Sequence, residues 1–206
     1  SQLVRFLDNR AYGVVEACDQ QQRRMARAKR HRRGNTQSKR LALLRREQGR
    51  AITLADDVSV LIGWLRDDIF AVAGPDHPTR SQLFDFVVAE LETRQSRCPH
   101  RIGPVVRALR NQRDDLLAFV AALDRQLAAV AKEYEVSPAV VRELLEVSAS
   151  DGRCPSTWRR DAELHRRLGD RYWGLQEAVA EVASGTVRAS SVIENLNSRL
   201  RGYFFL

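Results

Sequence analysis

Residues 102–134, IGPVVRALRNQRDDLLAFVAALDRQLAAVAKEY, contain the longest apolar pattern in the chain. Apolar side chains recur at alternating spacings of four and three along this stretch, and Arg113 is the only interruption. A heptad seam of this length is typical of a helix that packs along a partner helix. We therefore predict one long helix over 102–134, paired with earlier helices in an antiparallel, coiled-coil-like arm. The seam consists of Ile102, Val106, Leu109, Leu116, Val120, Leu123, Leu127, Val130 and Tyr134.

The rest of the sequence is also helical in character. Good helix formers dominate its composition, and alternating β-branched runs are nearly absent. We predict an all-α fold, a helical bundle with a long coiled-coil-like helix pair. The predicted helices cover residues 1–33, 38–48, 53–72, 79–94, 138–147 and 155–182, and a last helix begins at Ser190 or Ser191.

Capping residues and helix breakers indicate where these helices begin and end. Thr53 is a predicted N-cap, and Thr79 with Gln82 matches a capping box. Ser137 followed by proline predicts another helix start. The predicted breaks are Gly34-Asn35-Thr36 and Gly74-Pro75.

A block of positive charge lies in the first quarter of the chain. Twelve of the residues from Arg23 to Arg50 are lysine or arginine, and only Glu47 is acidic. The block has a formal charge of +11 in a chain of net charge +8, which leaves −3 for all other residues. Such a block indicates contact with phosphate groups. A solvated basic helix, a disordered tail or a partner for acidic helix faces would explain the charge as well. The residues that we expect to bind nucleic acid here are Arg23, Arg24, Arg27, Lys29, Arg30, Arg32, Arg33, Lys39 and Arg40.

The cysteines indicate the cellular environment of the protein, and the two ends indicate whether the sequence is complete. Cys18, Cys98 and Cys154 are far apart and show no metal-binding spacing, so neither a disulfide framework nor a zinc site is predicted. A reducing cytoplasm fits this usage, and no apolar run reaches the roughly 18 residues of a membrane span. The sequence starts at Ser1 and stops in the apolar run YFFL at 203–206. We interpret both ends as cut edges of a longer protein.

The segment 188–201, RASSVIENLNSRLR, is the most informative part of the sequence. Ser191 and Glu194 have the spacing of a capping box, and this pairing alone explains both residues. It does not explain Asn195 and Asn197, because asparagine is unfavourable inside helices. Polar groups that can contact phosphate thus surround the Glu194 carboxylate.

This segment resembles a known family. Residues 189–201, followed by YFFL, are similar to the C-terminal signature of a group of bacterial insertion-sequence transposases. These enzymes belong to the DDE class and have an RNase H-like catalytic domain. Further similar stretches, which are suggestive rather than specific, are LDNRAY at 7–12, ADDV at 55–58, LFDFVV at 83–88 and NQRDDLLAF at 111–119.

The resemblance implies a metal-dependent reaction on DNA. In this class two aspartates on a sheet and one glutamate on a following helix hold Mg²⁺ (or Mn²⁺) together. The ions activate a water or a 3′-hydroxyl and stabilise the leaving oxygen during attack on a phosphodiester. Glu194 matches the glutamate, which makes it the implied catalytic residue and metal ligand. Asn195, Asn197 and Arg201 are implied to lie beside the scissile DNA.

The two aspartates are expected before residue 1, because no strand-like segment here ends in aspartate. The adjacent pairs Asp56/Asp57, Asp67/Asp68 and Asp114/Asp115 lie on predicted helices, where neighbouring side chains point about 100° apart. We interpret them as solvated or ion-paired residues. The chain would then hold one of three metal ligands and be inactive alone.

The resemblance also implies a domain organisation and partners. Residues 1–147 would form a helical insertion, and residues 148–206 the C-terminal helices of the RNase H-like domain. Such insertions often contact transposon ends or the partner subunit. The implied partners are insertion-sequence ends, target DNA and a second copy in a synaptic homo-oligomer, and the implied location is the bacterial cytoplasm, at the nucleoid.

The alternative is a non-enzymatic, basic helical module that binds nucleic acid or acts as a scaffold. This alternative gives no reason for the segment around Glu194.

Overall fold

The computed structural model describes residues 1–30, 35–150 and 154–186, and its regular elements there are all helices. The predicted all-α class is confirmed for this part of the chain. None of the helices found in these ranges is both long and apolar enough to cross a membrane. The elements are α1 (Gln2–Arg30), α2 (Asn35–Trp64), a π-helical turn (Leu65–Ile69), α3 (His77–Gln95), α4 (Pro99–Asn111), α5 (Arg113–Glu133), α6 (Pro138–Ala149), α7 (Pro155–Leu168) and α8 (Arg171–Gly185).

The chain divides into two compact units. Unit 1 contains Ser1–Gly63 and Glu90–Gly103, and unit 2 contains Trp64–Ala89 and the chain from Pro104 onward. The predicted boundary near residue 147 is a functional one, between an insertion and a catalytic domain, and it stays a prediction.

The two longest helices, α1 and α2, are the main elements of unit 1, with 29 and 30 residues. One face of α2 is buried from Leu41 through Leu54 and Val58 to Leu61. The predictions of separate helices at 38–48 and 53–72 were therefore wrong. Thr53 is an exposed residue inside α2 rather than an N-cap, and Asn35 and Thr36 are already helical. Gly49 does not end the helix because its penalty, about 1 kcal/mol, is small beside the burial of that face.

The predicted helix over 102–134 is two helices, which corrects the sequence-based interpretation. The seam residues from Ile102 to Val130 are buried as predicted, but the backbone leaves the helical conformation at Gln112, with φ −113° and ψ 13°. Arg113 follows at once, and its guanidinium binds both Asp85 carboxylate oxygens at 2.7 and 2.8 Å and the Ser81 hydroxyl at 3.1 Å. A charged residue in an apolar seam has a large desolvation cost. The break directs it to partners on α3 instead.

The core of unit 2 is formed by α5, α6, α7 and α8. Helix α6 begins as predicted, with Pro138 in its first turn after Ser137, although the Ser137 side chain makes no capping hydrogen bond. The side chains that fill this core are Leu123, Leu127, Val130, Ala131, Val141, Leu144, Leu145, Val147, Leu164, Leu168, Tyr172, Leu175 and Val179.

The start of α3 differs from the predicted capping box. The helix begins at His77, and the carboxylate of Asp76, not Thr79, accepts from a first-turn backbone N–H, that of Thr79, at 3.1 Å. A second orphan donor, the His77 N–H, donates to Asp124 of α5 at 2.8 Å. A carboxylate from a distant helix therefore does part of the capping, which no local pattern can show.

The predicted single helix over 155–182 is also wrong, because α7 ends and α8 begins around Gly169. Gly169 has φ 57° and ψ −132°, a conformation that is nearly restricted to glycine. No atom lies within 4 Å of the position that its Cβ would occupy, so only the backbone requires glycine there. The reversal at Gly169 places α7 against α8.

We predict opposite effects for alanine at two glycines with equally open surroundings. Gly169→Ala is expected to destabilise the protein by about 1–3 kcal/mol, because alanine is strained at this φ and ψ. Gly49→Ala, inside α2, is expected to stabilise it by about 0.5–1 kcal/mol, because alanine is the better helix former. Urea unfolding followed by circular dichroism measures both changes. Equal effects of the two substitutions would contradict a backbone origin.

Candidate nucleic-acid interface

The basic block is on the surface of α1 and α2. On α1, Arg23, Arg24 and Arg27 are exposed. Arg23 and Arg27 are one helical turn apart, opposite the face that buries Cys18 and Gln21. The core of unit 1 therefore holds α1 by one face and leaves the guanidinium groups on the other face in solvent.

Helix α2 has the same arrangement. Lys39 and Arg40 are exposed, and Lys39 shares a face with Arg46 and Arg50 that is opposite the buried Leu41. At a rise of 1.5 Å per residue, the three cations extend over about 16 Å of helix. We call the exposed cations of these helices the basic faces of α1 and α2. They comprise Arg23, Arg24, Arg27, Lys39, Arg40, Arg45, Arg46 and Arg50.

The basic faces bring eight exposed cations onto two helices. Within the described residues, none of these side chains makes an ion pair or a side-chain hydrogen bond. Several arginines elsewhere do: Arg94 binds Asp57 at 2.9 Å, and Arg142 binds Asp124 at 2.8 Å. Further arginines paired with a carboxylate are Arg66, Arg113, Arg160, Arg166 and Arg167. The unpaired cations are therefore available to an anionic partner.

Arg45 was missing from the predicted interface, and so were two further residues of the basic faces, Arg46 and Arg50. The sequence contains the necessary signal, since they follow Lys39 at seven and eleven residues, a spacing that keeps one helix face. The predicted end of a short helix at Gln48 hid this pattern. Because α2 continues without a break, Lys39, Arg46 and Arg50 share one face.

Several predicted site residues are beyond what the structure describes. Lys29 and Arg30 belong to the last turn of α1, but their side chains are not described. Arg32, Arg33, Glu194, Asn195, Asn197 and Arg201 are outside the described ranges altogether. The structure therefore places the described basic residues of α1 and α2 on exposed faces of helices in unit 1, and it does not test the segment around Glu194.

The adjacent aspartate pairs are on the helix surface, as expected from the sequence. Asp57 pairs with Arg94, Asp67 with Arg66, and Asp114 with Arg113. Hydrogen bonding from Arg66 lowers the pKa of Asp67 below its ordinary value. In the ranges that the structure covers, no group of three histidine, cysteine, aspartate or glutamate residues has the arrangement of a metal site.

Comparison of the chain with protein-family models, with curated proteins and with solved structures gives no match.

Proposed function

We propose that the chain is part of a DDE-class DNA transposase and that it contacts DNA through the basic faces of α1 and α2. The observation that supports DNA contact is the set of exposed cations that have no protein partner in the part of the chain that the structure describes. A folded protein gains nothing from unpaired like charges close together, since they repel one another. A polyanion would relieve this repulsion.

The chemistry of these side chains suits the phosphate backbone of DNA. Arginine presents a planar fork that binds phosphate through two hydrogen bonds, and lysine acts as a point charge. Contacts of this kind release counterions and set the position of the protein, but they carry little sequence information. We therefore propose that the basic faces hold DNA, while the recognition of insertion-sequence ends depends on other residues.

The catalytic part of the proposal is based on the resemblance of residues 189–201 to the transposase signature. Glu194 would bind Mg²⁺ (or Mn²⁺) together with two aspartates outside this chain. The metal ions supply the activated nucleophile and neutralise charge at the phosphodiester. Asn195, Asn197 and Arg201 would position the DNA strand beside the ions, and a second copy would complete the synapsis.

The DNA-binding proposal predicts a specific change in salt dependence. The combined variant Lys39→Gln, Arg46→Gln and Arg50→Gln is expected to reduce the slope of log K against log salt by about three, since each lost phosphate contact removes about 0.9. Fluorescence anisotropy of a labelled DNA duplex, titrated at several KCl concentrations, measures the slope.

A matched control separates these contacts from net charge. The combined variant Arg66→Gln, Arg166→Gln and Arg167→Gln removes the same charge from arginines that are already paired with carboxylates. We expect its slope to equal that of the unchanged chain. If both triple variants lowered the slope equally, DNA would be responding to overall charge, and the proposed interface would be wrong.

A cleavage assay distinguishes the transposase from the non-enzymatic module. The complete protein, including the upstream aspartates, is expected to cleave labelled insertion-sequence ends with Mg²⁺ and to do so no longer with EDTA. Binding without cleavage under any metal condition would favour the module. That module keeps the basic faces but has no role for Glu194.

A further inference from the structure

Helices α7 and α8 form an open groove. The groove is in unit 2, whereas the basic faces are in unit 1. Its volume is about 430 Å³, within the range of small-molecule sites. The residues that line the groove are Trp158, Asp161, Ala162, His165, Tyr172 and Trp173. Four of these six residues have aromatic rings, a composition that no part of the proposed DNA contact explains.

The two indole rings are unusually accessible for their size. Trp158 is 69% exposed and Trp173 is 66% exposed. Burial of an indole is favourable, and tryptophan is highly buried on average. Two such side chains at one groove therefore point to a binding surface.

The rings meet at steep angles rather than in a stack. The plane of Tyr172 is inclined by 59° to that of His165 and by 88° to that of Trp173, with centroid distances of 4.7 and 5.1 Å. His165 and Trp173 are inclined by 72°. Rings at such angles contact one another edge to face, so these three side chains form a compact aromatic cluster at the groove. Buried Tyr172 forms its floor, and Trp173 is at the rim.

The groove also contains a carboxylate and no lysine or arginine among its lining residues. Asp161 Oδ1 accepts a hydrogen bond of 2.5 Å from the Tyr172 hydroxyl, and Oδ2 has no hydrogen-bond partner among the described residues. Burial and this hydrogen bond raise the pKa of Tyr172 to about 12, so the phenol remains a donor at neutral pH. Aromatic rings and one carboxylate are therefore the groups lining the groove that attract a cation.

We propose that the groove binds an alkylated ammonium group, with the cation over the aromatic faces and near the Asp161 carboxylate. Cations are attracted to ring faces, and alkyl groups around the nitrogen lower the cost of desolvation while adding apolar contact. A nucleotide suits the site less well, because its phosphate would be close to Asp161. The ammonium group belongs either to a free quaternary amine or to a methylated lysine side chain, which share this chemistry.

Nuclear magnetic resonance of the chain tests the proposal directly. Its three tryptophans give three indole N–H signals, which single Trp→Phe variants assign. Choline is expected to shift the signals of Trp158 and Trp173 with a Kd on the order of millimolar. Trp64 is outside the groove, where its ring contacts Phe86, and its signal is expected to stay in place. A trimethyl-lysine peptide that binds more tightly than choline would identify a protein source, and the reverse order a free amine.

The charge of the ligand is the decisive comparison. The neutral alcohol in which a carbon atom replaces the nitrogen of choline has the same shape, and we expect it to bind about tenfold more weakly. Trp173→Leu and Asp161→Asn are each expected to weaken choline binding about five- to tenfold, with unchanged circular dichroism. Equal binding of the alcohol, tighter binding of AMP, or no shift with choline in the folded chain would overturn the proposal.

Discussion

Arg80→Met is expected to lower the free energy of unfolding by about 3–5 kcal/mol, the loss typical of a buried charged group whose partners remain. The Arg80 side chain is completely buried. Its guanidinium donates to the carbonyl oxygens of Pro75 at 2.6 Å, Ile69 at 2.9 Å and Val72 at 3.1 Å, and also to that of Ala71. These bonds hold the non-helical segment between the π-helical turn and α3. Methionine fills similar space but leaves four carbonyl groups without this donor.

Burying the positive charge of Arg80 costs free energy, and three nearby carboxylates partly offset this cost. Burial, reinforced by the nearby Arg142 cation, lowers the pKa of Arg80 to about 10, which still leaves it charged at neutral pH. Asp124, Asp68 and Asp76 act in the opposite direction. Because the guanidinium is planar and has five N–H donors, it can reach carbonyls in several directions at once.

Urea unfolding of three variants tests the role of Arg80. Arg80→Lys retains the positive charge but cannot form the same set of hydrogen bonds, so we expect most of the loss to remain. Arg66→Met removes an arginine whose side chain is 76% exposed, and its unfolding midpoint is expected to match that of the unchanged protein. A loss below about 1 kcal/mol for Arg80→Met would mean that the carbonyls find other donors.

Under the proposed function, Glu194→Gln in the complete protein is expected to reduce Mg²⁺-dependent cleavage of insertion-sequence ends at least about thousandfold. A metal ligand in this class contributes several kcal/mol of transition-state stabilisation, and each 1.36 kcal/mol is a factor of ten in rate. Glutamine preserves the size of the side chain but removes the charge that attracts the ions. Single-turnover cleavage of a labelled DNA end measures the change.

DNA binding is the control that separates chemistry from folding. Glu194→Gln should bind DNA with the same salt slope as the unchanged protein, because the cations of α1 and α2 are intact. Glu181→Gln, which removes an exposed carboxylate from α8, should leave cleavage unchanged. If Glu194→Gln cleaved normally, Glu194 would not be a metal ligand, and the capping-box interpretation with Ser191 would be sufficient.

The periodicity of apolar residues identified buried positions more reliably than helix ends. Leu116, Val120 and Leu123 are completely buried, as the heptad seam predicts. The same seam indicated a continuous helix, but the chain breaks at Gln112. Arg113 interrupts the apolar seam and was a signal that the helix could break there. The cause of the break is the ion pair that Arg113 forms with Asp85. Because these two residues are 28 positions apart, the local spacing of apolar residues cannot predict that they pair.

The aromatic groove was not predicted, although its residues were visible in the sequence. Residues 155–182 had been predicted as one long helix. In a straight helix, residues 158 and 173 would be about 22 Å apart along the axis. The reversal at Gly169 brings both side chains to one groove. A glycine in a predicted helix was the available signal, but a single glycine is also tolerated there.

Composition and apolar spacing were sufficient to predict the all-helical class, most buried positions and the exposed basic block, because helix propensity and amphipathicity are local properties. The Glu194 hypothesis is based instead on the resemblance of residues 189–201 to the transposase signature, and it stays a prediction. The course of the chain at Ile69–Gly74, Gln112 and Gly169 was decided by the tertiary structure. At the first site, backbone carbonyls accept from Arg80 of α3; at the second, Arg113 pairs with Asp85 of α3; and at the third, two helices must pack against each other. Those requirements exist only once the helices have assembled.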